Sequence, residues 1–181
     1  MENIKNRLGE YKYNFFHNMQ NYLNTELIFF GSIKRSDYFD NASDIDIAII
    51  TDNVNSLITK IQNYLNINNK NIKKIYQQYT VNDKLVINGH KIKYEDNDNQ
   101  LVFDILIYDE KYKPYVIQNI NEINNLPLYI VYILYILKYL YYTLGLISKN
   151  CYVNIKCYIF HCYFNKKIKM YDKQHTTTII L

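Results

Sequence analysis

Three aspartates and a glycine-serine pair are the residues in this chain whose types and spacing suit chemistry. Gly31-Ser32 is followed, after eleven intervening residues, by Asp44-Ile45-Asp46. A third acid, Asp104, stands inside the apolar run Leu101-Val102-Phe103-Asp104-Ile105-Leu106. Side chains alternate along a strand, so Asp44 and Asp46 share one face while Ile45, Ile47 and Ile49 point to the other. Neighbouring carboxylates are unfavourable unless solvated or neutralised, and hard divalent cations are their usual neutraliser. A lone Asp in an apolar strand is costly to bury unless something positive faces it, so Asp104 suits a third carboxylate position on a neighbouring strand. Glycine lets backbone approach a ligand closely, and the free N–H groups at a helix start favour phosphate. Ser32 adds a hydroxyl donor. Taken singly, an Asp-x-Asp or a Gly-Ser is common in ordinary loops. Their order, each attached to a strand, points to metal-assisted phosphate chemistry.

The elements that must position these residues are legible from periodicity. Ile4, Leu8, Tyr11, Phe15, Met19 and Leu23 recur at helical spacing and predict an amphipathic helix over 3–24. Leu27–Phe30 reads as a short buried strand that stops at Gly31, and Ser32 as the cap of a brief irregular helical segment reaching Ser43. A second strand follows at 44–50, then a helix near 54–67 carrying Val54, Leu57, Ile58, Ile61 and Leu65. Residues 72–81 and 84–88 alternate weakly as strands. Asn88-Gly89 reads as a hairpin turn joining Lys84–Ile87 to His90–Tyr94, because both residues tolerate positive φ. A polar loop at Glu95–Gln100 leads to a strand at Leu101–Tyr108. Helical patterns at about 110–124, 128–147 and 152–164 come next, with a polar tail after Asn165. The expected fold class is α+β: a mixed β-sheet with flanking helices and a C-terminal helical bundle.

Composition narrows the class without naming a function. The 181 residues suit one domain of ordinary size. A net charge of +4 neither demands nor excludes a nucleic-acid partner. Four Gly and two Pro exclude collagen-like, linker-like and propeller-like architectures. Aromatics reach 16 %, with 21 Tyr, 8 Phe and no Trp, and abundant Asn, Ile and Lys beside them suggest AT-rich codons. Three cysteines, Cys151, Cys157 and Cys162, contain no CxxC pair, which argues against a disulfide framework and a zinc knuckle alike. Cys157 and His161 are spaced to share a helix face, and half-buried thiols are the simpler reading. The first residues lack the apolar stretch of a secretory signal, so an intracellular protein is expected.

Phe30-Gly31-Ser32 followed by Ser43-Asp44-Ile45-Asp46-Ile47 resembles the signature of the DNA polymerase β-type nucleotidyltransferase superfamily: a hydrophobic residue, Gly-Ser, a short interval, then Asp-hydrophobic-Asp. The resemblance covers roughly residues 25–110 and is nearest to small, minimal nucleotidyltransferases. The stretch Gly31–Phe39, with Tyr108–Lys113, is also similar to uncharacterised nucleotidyltransferase-like proteins of large DNA viruses, which would place the chain in a host cytoplasm. The resemblance implies a catalytic domain at 1–110, a helical region at 111–165 packed on it and a polar tail at 166–181. It further implies Mg²⁺-dependent transfer of a nucleoside monophosphate from an NTP such as ATP to a hydroxyl on an RNA end, a protein or a small molecule. Two Mg²⁺ ions, for which Mn²⁺ can substitute, would be held by Asp44, Asp46 and Asp104. Gly31 and Ser32 would bind the triphosphate, with Lys34 or Arg35 assisting. The spacing of eleven is slightly longer than in X-family polymerases, and no helix-hairpin-helix segment accompanies it.

Residues 126–147 carry one charge, Lys138, over a length that suffices to span a bilayer. Tyr129, Tyr132, Tyr135, Tyr139 and Tyr142 nevertheless form one stripe along the whole helix, with Ile130, Ile133, Leu134, Leu137, Leu140 and Leu144 opposite. In a membrane span tyrosine concentrates at the two interfaces. A soluble helix is therefore expected, with a Tyr face suited to stacking on a base or ribose and Lys138 reaching phosphate. The competing reading of the whole chain is a catalytically weak module that keeps the fold for binding or regulation, as an antitoxin-like partner or scaffold.

Overall fold

The computed structural model describes residues 4–40, 42–79 and 85–164. The element order is α1 (Lys5–Leu23), β1 (Ile28–Phe30), β2 (Ile45–Thr51), α2 (Val54–Leu65), β3 (Ile72–Tyr79), β4 (Leu85–Asp96), β5 (Leu101–Asp109), α3 (Lys113–Asn124), α4 (Leu128–Lys138) and α5 (Lys149–Phe164). The five strands form one mixed sheet in the order β1-β2-β5-β4-β3. β1 runs antiparallel to β2, β2 parallel to β5, and β5 antiparallel to β4. The α+β class expected from the sequence is the one observed.

By its contacts the chain separates into two units, Met1–Lys73 with Gly89–Asn125, and Lys74–Asn88 with Leu126–Leu181. The first unit holds the larger core, in which α1 and α2 cover the sheet. Phe16 of α1 is fully buried, its ring edge-on to Phe29 at 5.3 Å and to Phe103 at 5.2 Å between centroids. Edge-to-face pairs of this kind add to the burial of apolar area. Ile45, Ile47 and Ile49 of β2 and Phe103, Ile105 and Ile107 of β5 face the same core. Strand alternation therefore sends the intervening Asp46 and Asp104 to the other side of the sheet. In α1 the buried residues after Leu8 are Lys12, Phe16, Met19 and Leu23, while Tyr11 is exposed and Phe15 packs at the margin. Gly9, at φ 70° and ψ 168°, interrupts the helical backbone.

Helix ends show how a glycine-poor chain stops its helices. α1 and α2 close on Asn24 and Asn66, both left-handed, in the position where Gly is commoner. α2 begins under Asn53, whose side chain accepts the Ser56 N–H. The segment after Gly31 is a single 3₁₀ turn, Gly31–Lys34, that does not use Ser32 as a cap. Ser43 closes the following loop instead, its Oγ accepting the Phe39 N–H at 3.1 Å.

The expected hairpin at Asn88-Gly89 is not observed. β4 runs straight through both residues, and Gly89 lies opposite Tyr108 of β5. A Cβ on Gly89 would stand 2.8 Å from the Tyr108 ring and 3.0 Å from the Ile107 carbonyl. The glycine thus answers a close approach across the sheet rather than a turn, the other common reason for Gly in a strand. Residues 80–84, between β3 and β4, lie outside the described ones, as does the tail expected after Asn165.

In the second unit, α4 packs Ile130, Val131 and Leu134 against Phe160 of α5. The Tyr129, Tyr132, Tyr135, Tyr139 and Tyr142 stripe is exposed as expected, whereas Ile133 and Leu144 are exposed as well. The long helix expected over 128–147 ends its α-helical part at Lys138 and continues as a π turn, Tyr139–Thr143. Tyr141 stacks on Tyr152 at 4.6 Å. Among the described residues no single helix is long and apolar enough to cross a membrane. Only Glu110–Asn124 taken together with Leu128–Thr143 has the combined length and apolarity. Cys151 and Cys162 are exposed and Cys157 is half-buried.

Candidate active site

The geometry of the site follows from sheet register. Phe30, the last residue of β1, pairs with Asp46, and Asp46 pairs with Asp104 of β5. The turn Gly31–Lys34 therefore begins at the strand position that carries the first carboxylate, and the second carboxylate stands beside it. Gly31 adopts φ +75°, and a Cβ added to it would lie 2.7 Å from Asp46 Oδ2. Real Cβ atoms do not approach so closely, so only glycine leaves this carboxylate where it is. The motif's glycine and its acid are in contact through space as well as ordered along the chain.

Burial rises across the three acids. Asp44, just before β2, is exposed; Asp46 is half-buried; Asp104 is 8 % exposed. Two lysines of β4 face them. Lys93 lies opposite Asp104 in register, yet its ammonium turns to Glu95 at 2.5 Å, while Lys91 reaches Asp104 Oδ2 at 2.6 Å. The hydrogen-bonded Glu95 carboxylate holds Lys93 above the ordinary lysine range, with Asp44 and Asp104 adding to it. The other Asp104 oxygen, Oδ1, is buried with no hydrogen-bond partner. An unpartnered buried carboxylate oxygen calls for a cation or a donor. An all-oxygen donor set of this kind suits a hard divalent ion such as Mg²⁺ or Mn²⁺. Among the described residues, however, no group of three His, Cys, Asp or Glu side chains is gathered so that it could hold a metal ion. The cation placed beside Asp104 is Lys91.

The Gly-Ser turn is anchored from α3. Asn124 Oδ1 accepts the Gly31 N–H at 3.0 Å, and the Ile123 carbonyl accepts from Arg35 at 2.9 Å. Arg35 also makes a two-pronged pair with Asp37 at 2.8 and 3.0 Å, with Arg35 8 % and Asp37 0 % exposed. Arg7 donates to the Ile33 carbonyl at 3.0 Å and to that of Arg35. Such fork-to-fork pairing satisfies a buried guanidinium and fixes its plane. Arg35, expected at the phosphates, is thus a clamp on the loop between the turn and Asp44. Ser32 is buried in the turn and Lys34 is exposed on it. Lys138 is 5 % exposed on α4 of the second unit, whereas the tyrosines expected to work with it are exposed.

Sequence reasoning did not find Lys91, Lys93 or Asn124. Lys91-Ile92-Lys93 mirrors the alternation of Asp44-Ile45-Asp46, and that was the available signal. Asn124 left none, because one Asn in an Asn-rich chain is indistinguishable from its neighbours.

No curated protein and no solved structure matches this chain. A family model, the nucleotidyltransferase domain, matches residues 15–123, more than half of the chain. The matched stretch contains Gly31, Ser32, Asp44, Asp46 and Asp104 together with all five strands of the sheet. The contact between the Gly31 backbone and the Asp46 carboxylate therefore lies inside the matched region, and the chain belongs to the nucleotidyltransferase-domain family.

Proposed function

We propose that the protein transfers a nucleoside monophosphate from an NTP to a hydroxyl acceptor with the help of two divalent cations. The observation that carries this reading is the placement of Gly31 against Asp46 with Asp104 next in register. It sets a turn suited to phosphate beside carboxylates suited to Mg²⁺ or Mn²⁺. Asp44, Asp46 and Asp104 would hold the ions, which supply neutralisation of the triphosphate and a lowered pKa for the acceptor hydroxyl.

In this reading Ser32 donates its hydroxyl to the triphosphate, and Lys34, exposed on the same turn, adds positive charge. Asn124, by holding the Gly31 N–H, keeps the turn in its left-handed start. The acceptor oxygen bonds to the α-phosphorus, the bond to the β-bridging oxygen breaks, and pyrophosphate leaves. The acceptor proton passes to Asp104, the most buried of the three acids. The acceptor belongs to one of three classes: an RNA end, a protein hydroxyl or a small molecule.

Incubation with α-labelled NTPs, Mg²⁺ or Mn²⁺ and a panel of RNA, protein and small-molecule acceptors tests the reading. Label transfer is expected. Asp46→Asn and Asp104→Asn should each reduce it at least ~100-fold, the scale of losing a charged group that acts on developing charge, with an unchanged circular dichroism spectrum. Full activity in either variant overturns the mechanism. Nucleotide binding without transfer to any acceptor would instead describe a binding module that has kept the fold.

A further inference from the structure

Asp104 is held by a lysine at the place where the proposed function needs a metal ion. Lys91 Nζ stands 2.6 Å from Asp104 Oδ2, while Asp104 Oδ1 is buried without a hydrogen-bond partner. The pairing is diagonal across the ladder: Lys91 is opposite Leu106, and Lys93 is opposite Asp104. A lysine stem is long enough for that reach. Lys93 is drawn off by Glu95, both groups being about half exposed, whereas the Lys91 and Asp104 side chains are 24 % and 11 % exposed. A charge-assisted bond so shielded from water is stronger than a surface pair. An ammonium within 3 Å of the carboxylate also repels a divalent ion approaching the same oxygen, and the repulsion grows as water is excluded.

We infer that Lys91 is a built-in counter-cation of the site, competing with the divalent ion for Asp104, so that metal entry requires the lysine to leave that carboxylate. This inference rests on the proposed function, since it takes Asp104 as a metal position. Lys91 acts on metal affinity through Asp104 and is a positioning residue. Lys93, which lies opposite Asp104 and feels Glu95, Asp44 and Asp104, is the natural control. It has the same charge and the same strand face, and its ion pair is with Glu95.

Mn²⁺ binding to the nucleotide-free protein, followed by electron paramagnetic resonance or calorimetry, tests the competition without any activity readout. Lys91→Gln and Lys91→Met should each tighten Mn²⁺ binding about tenfold, in keeping with removal of a shielded ion pair. Lys91→Arg should leave it near the wild-type value. Lys93→Gln should shift it less than about threefold, as for a surface pair. Unchanged or weaker Mn²⁺ binding in both Lys91→Gln and Lys91→Met overturns the competition. Asp46→Asn and Asp104→Asn report on the underlying reading separately. If neither weakens Mn²⁺ binding, the carboxylates are not the metal site, and the proposed function fails together with the inference.

Discussion

Gly31 and Gly9 make an internal comparison at the scale of single residues. Both adopt positive φ, +75° and +70°, yet a Cβ on Gly31 meets the Asp46 carboxylate at 2.7 Å while one on Gly9 meets nothing within 4 Å. Backbone in such glycine-favouring regions costs another residue on the order of 1–3 kcal/mol. Gly31→Ala and Gly9→Ala should therefore lose similar thermal stability from backbone strain, with a further loss in Gly31→Ala. Only Gly31→Ala should abolish label transfer, because only there is a carboxylate of the proposed metal site displaced. Equal loss of transfer in both variants would show that the phosphate turn owes nothing to its contact with Asp46. At this scale Asp44, Asp46, Asp104 and Gly31 were legible before the fold was known. Asp46, Asp104 and Gly31 are abnormal in their local setting, an acid or a glycine where apolar strand should continue, and Asp44 is marked by its place two residues before Asp46. Arg35 and Lys34 were not separable in that way, since adjacent cations on a polar segment look alike until one is buried.

Among the elements, the loop from Gly31 to Asp44 is held by the Arg35–Asp37 pair and by the last turn of α3. Removing one partner of a buried pair leaves an uncompensated charge, which costs about 3–5 kcal/mol. Arg35→Met should lower the denaturation free energy by that amount, and the double variant Arg35→Met with Asp37→Leu should recover much of it. If Arg35→Met unfolds at the wild-type denaturant concentration, the clamp does not hold the loop. Strand β2, strand β5 and helix α2 were readable because period-two and period-3.6 patterns are local properties of sequence. The Asn88-Gly89 hairpin was misread for the same reason. Asn-Gly signals a turn only when no neighbouring strand demands a missing Cβ, and here Tyr108 does. The change from α to π at Tyr139 likewise has no local mark, since neither Gly nor Pro stands between Leu128 and Thr143.

For the molecule as a whole, the tyrosine content becomes a matter of burial. The three α4 tyrosines are exposed, but Tyr108 is deeply buried and Tyr38 has a buried hydroxyl with no hydrogen-bond partner. Burial, with the Asp40 carboxylate adding to it, pushes the Tyr38 phenol up to about 12, and burial also raises Tyr108. In the unfolded chain a tyrosine ionises near pH 10. A raised folded value means that the stabilisation is whole below pH 10 and is lost as pH climbs through 12. The denaturant midpoint should thus fall between pH 10 and 12, and Tyr38→Phe should flatten part of that fall. At pH 7 the same variant should be no less stable, because the lost hydroxyl has no partner to leave behind. A steeper alkaline fall in Tyr38→Phe would contradict this origin.

What the sequence determined by itself was local: where most strands and helices lie, that Gly31-Ser32 ends a strand, and that Asp46 and Asp104 interrupt apolar strands with Asp44 at the start of one. Those signals survive without neighbours because backbone period and side-chain type are enough to produce them. The partners were settled only by the tertiary structure. Whether Lys91 or Lys93 takes Asp104, whether Arg35 faces a ligand or Asp37, and whether Gly89 turns the chain or makes room for Tyr108 depend on strand register and on α3 closing over the turn. A shift of one residue in register would send each side chain to the opposite face of the sheet. That choice is made by the packing of Phe16, Phe29 and Phe103 in the core beneath, and no single segment of the sequence contains it.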